Sequence, residues 1–162
     1  MNDEKLPEPW LRGTLTDIPP VLRAVLHALE LAKQDIDRWC APLTDAQLNA
    51  RPAGIAPVAF HLRHIARSLD RLLTYAEGNQ LTEDQLSSLR AELDSGRHQI
   101  GIIRGISGRP RPQLDEPRAV GKRRLPSTVA GLLVHVADHT QRHVGQAITT
   151  AKIVTQNSQS IS

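Results

Sequence analysis

Residues 132–146 read Leu-Leu-Val-His-Val-Ala-Asp-His-Thr-Gln-Arg-His-Val-Gly-Gln, with His135, His139 and His143 at successive spacings of four. On an α-helix each such step turns about 40° and climbs roughly 6 Å, so the imidazoles stack along one side. The apolar residues keep the same period. Val129, Leu132, Val136, Ala147, Ala151 and Val154 form one stripe of a helix that Ser127 or Thr128 caps and that ends near Val154. His139 and His143 fall on a margin of that stripe, and His135, Arg142 and Gln146 follow just beyond on the same flank. Neutral imidazole is the commonest protein ligand for a transition metal, and two imidazoles one turn apart can close on a single ion. Such a helix needs other helices to cover its stripe and a third ligand to complete a site.

Composition supports a helical setting. The chain has 162 residues, 40% of them hydrophobic but only 2% aromatic, so the core must be built from Leu, Ile, Val and Ala. These recur at helical spacing, and long alternating Val/Ile/Thr runs are missing, which points to an all-α protein of one domain. A formal charge of +3 is too small a surplus to mark a nucleic-acid binder. The polar, Pro-rich start has no apolar segment of the kind a signal peptide carries, and no apolar run approaches the ~18–20 residues that span a membrane. The single cysteine, Cys40, excludes an intramolecular disulfide and fits a reducing cytoplasm. Nothing adjacent would lower its pKa, and a cysteine at a helix end is more often packing than a nucleophile.

Outward from the histidine helix, residues 1–16 read as an irregular arm that Trp10 and Leu11 pin to the body. A first helix starts at Asp17, its N-cap, with Pro19 and Pro20 in the first turn, and carries Ile18, Leu22, Val25, Leu29, Ala32, Ile36 and Trp39 on its core side. His27 projects from the opposite side and reads as a solvated histidine. After a connector with a short helical turn at Asp45–Asn49, Pro57 opens a second long helix that stops at Gly78. Its stripe is Val58, Leu62, Ile65, Leu69, Leu72 and Leu73, with His61 at the edge and His64 further round. Periodicity does not decide which of those two histidines joins the pair at 139 and 143.

Thr82 with Gln85 forms a capping box for a third helix, which glycines at 96, 101, 105 and 108 break after Asp94, leaving His98 exposed. Residues 108–126 read as a Pro- and Arg-rich crossover, and the tail 156–162 as disordered.

Two motifs resemble the DinB/YfiT-like family. Pro-Val-Ala-Phe-His-Leu-Arg-His-Ile-Ala (57–66) is similar to its second-helix segment, and His-Val-Ala-Asp-His-Thr-Gln-Arg-His-Val-Gly-Gln (135–146) to its fourth-helix signature, His-x-x-x-His followed by x-Gly-Gln. With the connector and the first helix, the likeness covers most of residues 10–155. It is weakest over 95–113, where glycines and Arg-Pro-Arg-Pro replace a regular third helix.

The resemblance implies a four-helix bundle over residues 17–155, with a long crossover between helices 3 and 4. It also implies a divalent metal, zinc or nickel, held by His64, His139 and His143. His61 and His135 then become pocket neighbours, and Arg142 and Gln146 candidate substrate contacts. Relatives of this type include metal-dependent transferases that use low-molecular-weight thiols, and dimers are common among them. The expected function is therefore a metal-dependent thiol transferase or hydrolase acting on a small molecule. The alternative is a non-catalytic, metal-stabilised or ligand-binding bundle. The family's damage-inducible name and the basic crossover invite a DNA-binding reading, but no recognisable reading element or interleaved aromatics accompany them.

Overall fold

The computed structural model describes residues 6–91 and 113–159. In chain order it forms α1 (Pro20–Trp39), α2 (Asp45–Asn49), α3 (Val58–Ala76), α4 (Glu83–Arg90), β1 (Pro117–Val120), β2 (Leu125–Thr128) and α5 (Val129–Gln159), with 3-10 turns at Pro9–Leu11 and Pro52–Gly54. α5 packs along both α1 and α3, and α4 lies against α3. The protein is an all-α bundle, as its periodicity predicts, with one small hairpin added. No helix among the described residues is long and apolar enough to cross a membrane.

Local chemistry sets the ends of the helices. α3 stops in a Schellman arrangement: the Gly78 amide donates to Tyr75 and the Asn79 amide to Thr74, with Gly78 at φ +84°. Arg118 of β1 donates from Nε to the Ala76 carbonyl at 2.8 Å, placing a cation at the negative end of that helix. Three of the unpaired amides that open α5 also find partners. Val129 donates to the Glu116 carbonyl, Ala130 to the Leu114 carbonyl and Gly131 to the Thr128 hydroxyl. The hairpin thus holds the start of α5 and the end of α3 together. Capping boxes begin α2 (Thr44 with Gln47) and α4 (Thr82 with Gln85).

Several expectations are corrected. α1 begins at Pro20 behind Pro19, not behind an Asp17 cap, because a residue preceding proline is pushed out of the helical region and two such prolines stand in succession. Trp10 and Leu11 are 62% and 56% exposed; Pro9 is buried instead, and Arg12 ties the arm to α1 through Glu30 and Gln34. His27 is buried, with Nε2 3.1 Å from the Thr14 hydroxyl, because the arm folds back over the side of α1 that a helical wheel leaves to solvent. β1 and β2 occupy part of what reads as plain crossover. Each is only four residues long and holds a proline, so neither shows an alternating pattern. α5 continues to Gln159, making 156–159 helical, since no glycine or proline stops it there. The break after Asp94, His98 and the rest of 92–112 lie outside the described residues.

The core follows the three stripes. Ala32, Ile65, Leu69, Val136 and Val144 join α1, α3 and α5 at mid-height. Val58 and Leu62 meet Ala147, Ala151 and Cys40 at one end, while Tyr75 and Ala76 meet Leu132 at the other. α3 and α5 are therefore antiparallel. Ala147 has no exposed surface and Ala151 is 1% exposed, so α3 comes close at that end because the side chains facing it are small. Ala147→Leu is expected to lower stability by about 1–3 kcal/mol in urea unfolding, as overpacking does. Val134→Leu, at a site 50% exposed, should stay within about 0.5 kcal/mol of the parent.

Candidate metal centre

Two turns of α3 face two turns of α5 across this antiparallel contact. On α3, His61 and His64 are spaced by three; on α5, His139 and His143 are spaced by four. Going up one helix while going down the other pairs them off. His64 Nε2 stands 3.2 Å from His139 Nε2, and His61 Nδ1 stands 3.2 Å from His143 Nδ1. The His64 ring also meets the His143 ring, with centroids 4.4 Å apart, and His139 meets His143 at 4.6 Å.

His64, His139 and His143 each offer a ring nitrogen, and the three lie within 4.8 Å of one another. Two nitrogens sharing a tetrahedral ion at bonds of ~2.0–2.1 Å stand about 3.3 Å apart. The 3.2 Å between His64 and His139 already has that spacing, and His143 offers a third nitrogen within 4.8 Å of both. These donors fit a divalent ion of borderline softness. Among the described residues the cluster contains no carboxylate, the ligand that harder cations favour.

The surroundings hold the rings in place. Phe60 lies parallel to the His64 ring at 5.7 Å and 12°, and meets His61 edge-on. His61 is 6% exposed and backs onto His143, so its place is in the core margin behind the cluster. That position explains why a helical wheel sets it nearer the stripe than His64, which is half-buried and reaches His139 from the side. His135 is exposed, its ring edge-on to His139 at 5.6 Å. Arg142 and Gln146 are exposed on the same helix, with Arg142 bonded to Asp138 at 2.7 Å. Cys40 is buried among apolar side chains, and burial pushes its thiol pKa up, in keeping with a packing role.

Sequence reasoning passed over Ser68. It is buried one turn beyond His64, with Oγ 3.4 Å from His64 Nε2, and it accepts a hydrogen bond from Arg71 Nη2 at 3.1 Å. The signal was present in the i, i+4 and i, i+7 spacing of His64, Ser68 and Arg71, but serine at a helical position carries little weight alone.

Burial, followed by the charges of its neighbours, lowers the pKa of His61 from an ordinary 6.5 to about 4, and that of His139 by as much. The neighbours are His143 and His64 for His61, and for His139 additionally His135 and Arg142. Neutral imidazoles at physiological pH are what a metal needs, since a protonated ring cannot ligate.

An all-α bundle whose two best-packed helices converge on three histidines defines a class of small helical proteins able to hold a metal ion. More particularly, the chain belongs to the DinB superfamily, whose sequence profile matches residues 28–147 and so takes in every histidine of the cluster. No curated protein and no solved structure gives a significant match.

The depressed imidazoles make a prediction for the metal-free protein. Between about 4 and 6.5 the unfolded chain binds protons that His61 and His139 in the folded chain do not. Their contribution to stability is complete above pH 6.5 and is lost as pH falls toward 4. Urea midpoints of the metal-free protein should fall over that interval, and less steeply in a His61→Asn/His139→Asn variant. Parallel profiles for the two proteins would contradict the assignment.

Proposed function

We propose that this DinB superfamily protein binds one divalent metal ion, zinc or nickel, through His64, His139 and His143. We further propose that it uses the open coordination position to activate a thiol or a water, as a thiol transferase or hydrolase acting on a small molecule. The convergence of the three histidines from two helices is the observation that carries this reading. The bound ion would supply Lewis acidity, lowering the pKa of a thiol or water and presenting it as a nucleophile.

The chain's own residues divide the remaining work. His61 and Phe60 fix the angle of the ligand rings, as groups behind a metal site commonly do. His135, Arg142 and Gln146 lie on the exposed flank beside the ligands and are the side chains a substrate would meet first.

A second reading has its own support. An ion at this point would cross-link α3 to α5, so a bundle that holds metal for stability alone is the natural competitor. Elemental analysis of freshly purified protein should find about one ion per chain, and none in His64→Ala, His139→Ala or His143→Ala. Removing the metal with a chelator should lower Tm in either reading, because a ligand that binds only the folded state must stabilise it, by about 2.7 kcal/mol at a hundredfold excess over Kd. Turnover of a thiol with an electrophilic acceptor, or hydrolysis of a small ester or amide, separates the two. A metal-replete protein inert across such a panel favours the stabilising role.

A further inference from the structure

Ser68 is 5% exposed, and its Oγ stands 3.4 Å from the same His64 nitrogen that approaches His139 to 3.2 Å. The hydroxyl thus stands at the His64 nitrogen that faces His139, at a distance close to the ~3.3 Å between ligands on one tetrahedral ion. Arg71 donates to that oxygen from one turn further along α3. A hydroxyl has one proton to give and two lone pairs. With one lone pair engaged by Arg71, the proton remains available. Without metal, His64 Nε2 is an acceptor within its reach. An ion on Nε2 consumes that lone pair, and the proton must turn to something else.

Ligation by Oγ itself is disfavoured. A neutral hydroxyl is not among the usual zinc ligands, and a guanidinium bonded to the same oxygen opposes a cation there. An anion meets no such objection. Three neutral imidazoles leave the full charge of a divalent ion uncompensated, and among the described residues the cluster holds no carboxylate.

We propose that Ser68, oriented by Arg71, makes the open coordination position an anion site, in which its hydroxyl donates to a thiolate completing the ion's shell. This rests on the three-histidine reading above and narrows it. The bound group is anionic and compact at its ligating atom, and it is recognised by a hydrogen bond from α3. Ser68 is thereby a contact residue for the incoming ligand, and Arg71 a positioning residue acting through it.

Cobalt(II) loaded into the full-length protein provides a readout other than activity. Titration with β-mercaptoethanol, followed through the sulfur-to-cobalt charge-transfer absorption, gives a thiol affinity. Titration with imidazole, followed through the visible bands, gives the affinity for a neutral ligand at the same position. Ser68→Ala should weaken thiol binding by about ten-fold or more, the scale of one hydrogen bond to a charged group. Imidazole binding and cobalt stoichiometry should change by less than about two-fold, the scale of a few tenths of a kcal/mol. Ser68→Thr, which keeps the hydroxyl, should recover most of the thiol affinity, and Arg71→Met should lose part of it. An intact cobalt site whose thiol affinity ignores Ser68 overturns this proposal alone, as does an equal loss for thiol and imidazole, which marks a packing effect. A wild-type protein that takes up no cobalt overturns the three-histidine reading together with this one.

Discussion

The antiparallel contact of α3 with α5 is the constraint on which the rest depends. Its register is set at both ends by apolar packing, Val58 and Leu62 on Ala147 and Ala151, and Tyr75 and Ala76 on Leu132. Once those ends are fixed, a step of three residues up α3, about 4.5 Å, is matched by a step of four down α5, about 6 Å. His61 thereby faces His143 while His64 faces His139. A slip of one turn would undo both pairs together. Groups 75 and 82 residues apart in sequence are brought within 3.2 Å by apolar side chains outside the histidine cluster. On the other side of α5, the Gln141 side chain donates to the Ala28 carbonyl of α1, so the helix carrying two of the histidines is held from both flanks.

The cluster has a cost as well as a use. Four imidazoles packed together without a cation repel one another whenever more than one is charged, and burial opposes the charged form further. Burial lowers the pKa of His61 and His139 accordingly, and polar rings at this place stabilise the bundle less than an apolar core of the same volume would. Sites of this kind are where a fold departs from its own packing rules. Here the departure is confined to the middle of one helix pair, with apolar clusters above and below it.

The three long helices are legible in the sequence because each buries a single stripe, and stripes obey a period that tertiary contacts only reinforce. Val129, Leu132, Val136, Ala147, Ala151 and Val154 are all buried as that period requires. The pair His139 and His143 is equally readable, since both lie on one helix. The partner from α3 is not. His61 sits nearer the stripe and is the more buried residue, so periodicity alone favours the histidine that backs the cluster over the one that enters it. Contacts made by irregular chain are hidden for a related reason. A wheel drawn for α1 places His27 in solvent because it cannot know that Thr14 returns to cover it, and the short hairpin carries prolines in both strands where an alternating pattern would be sought. Ser68 is no more legible, because a serine at a helical position carries no signal until its contacts with His64 and Arg71 are seen.

The burial of Cys40 has a bearing on how the scaffold meets reactive small molecules. The chain's one sulfhydryl lies 3% exposed behind Ile36, Trp39, Leu43 and Leu48, with its ionisation suppressed. Reactive carbon centres and oxidants that enter from solvent meet imidazoles, guanidinium groups and amides, but no thiolate belonging to the protein. Alkylation of Cys40 and its mixed disulfides with small thiols are opposed by the same packing that closes that end of the bundle.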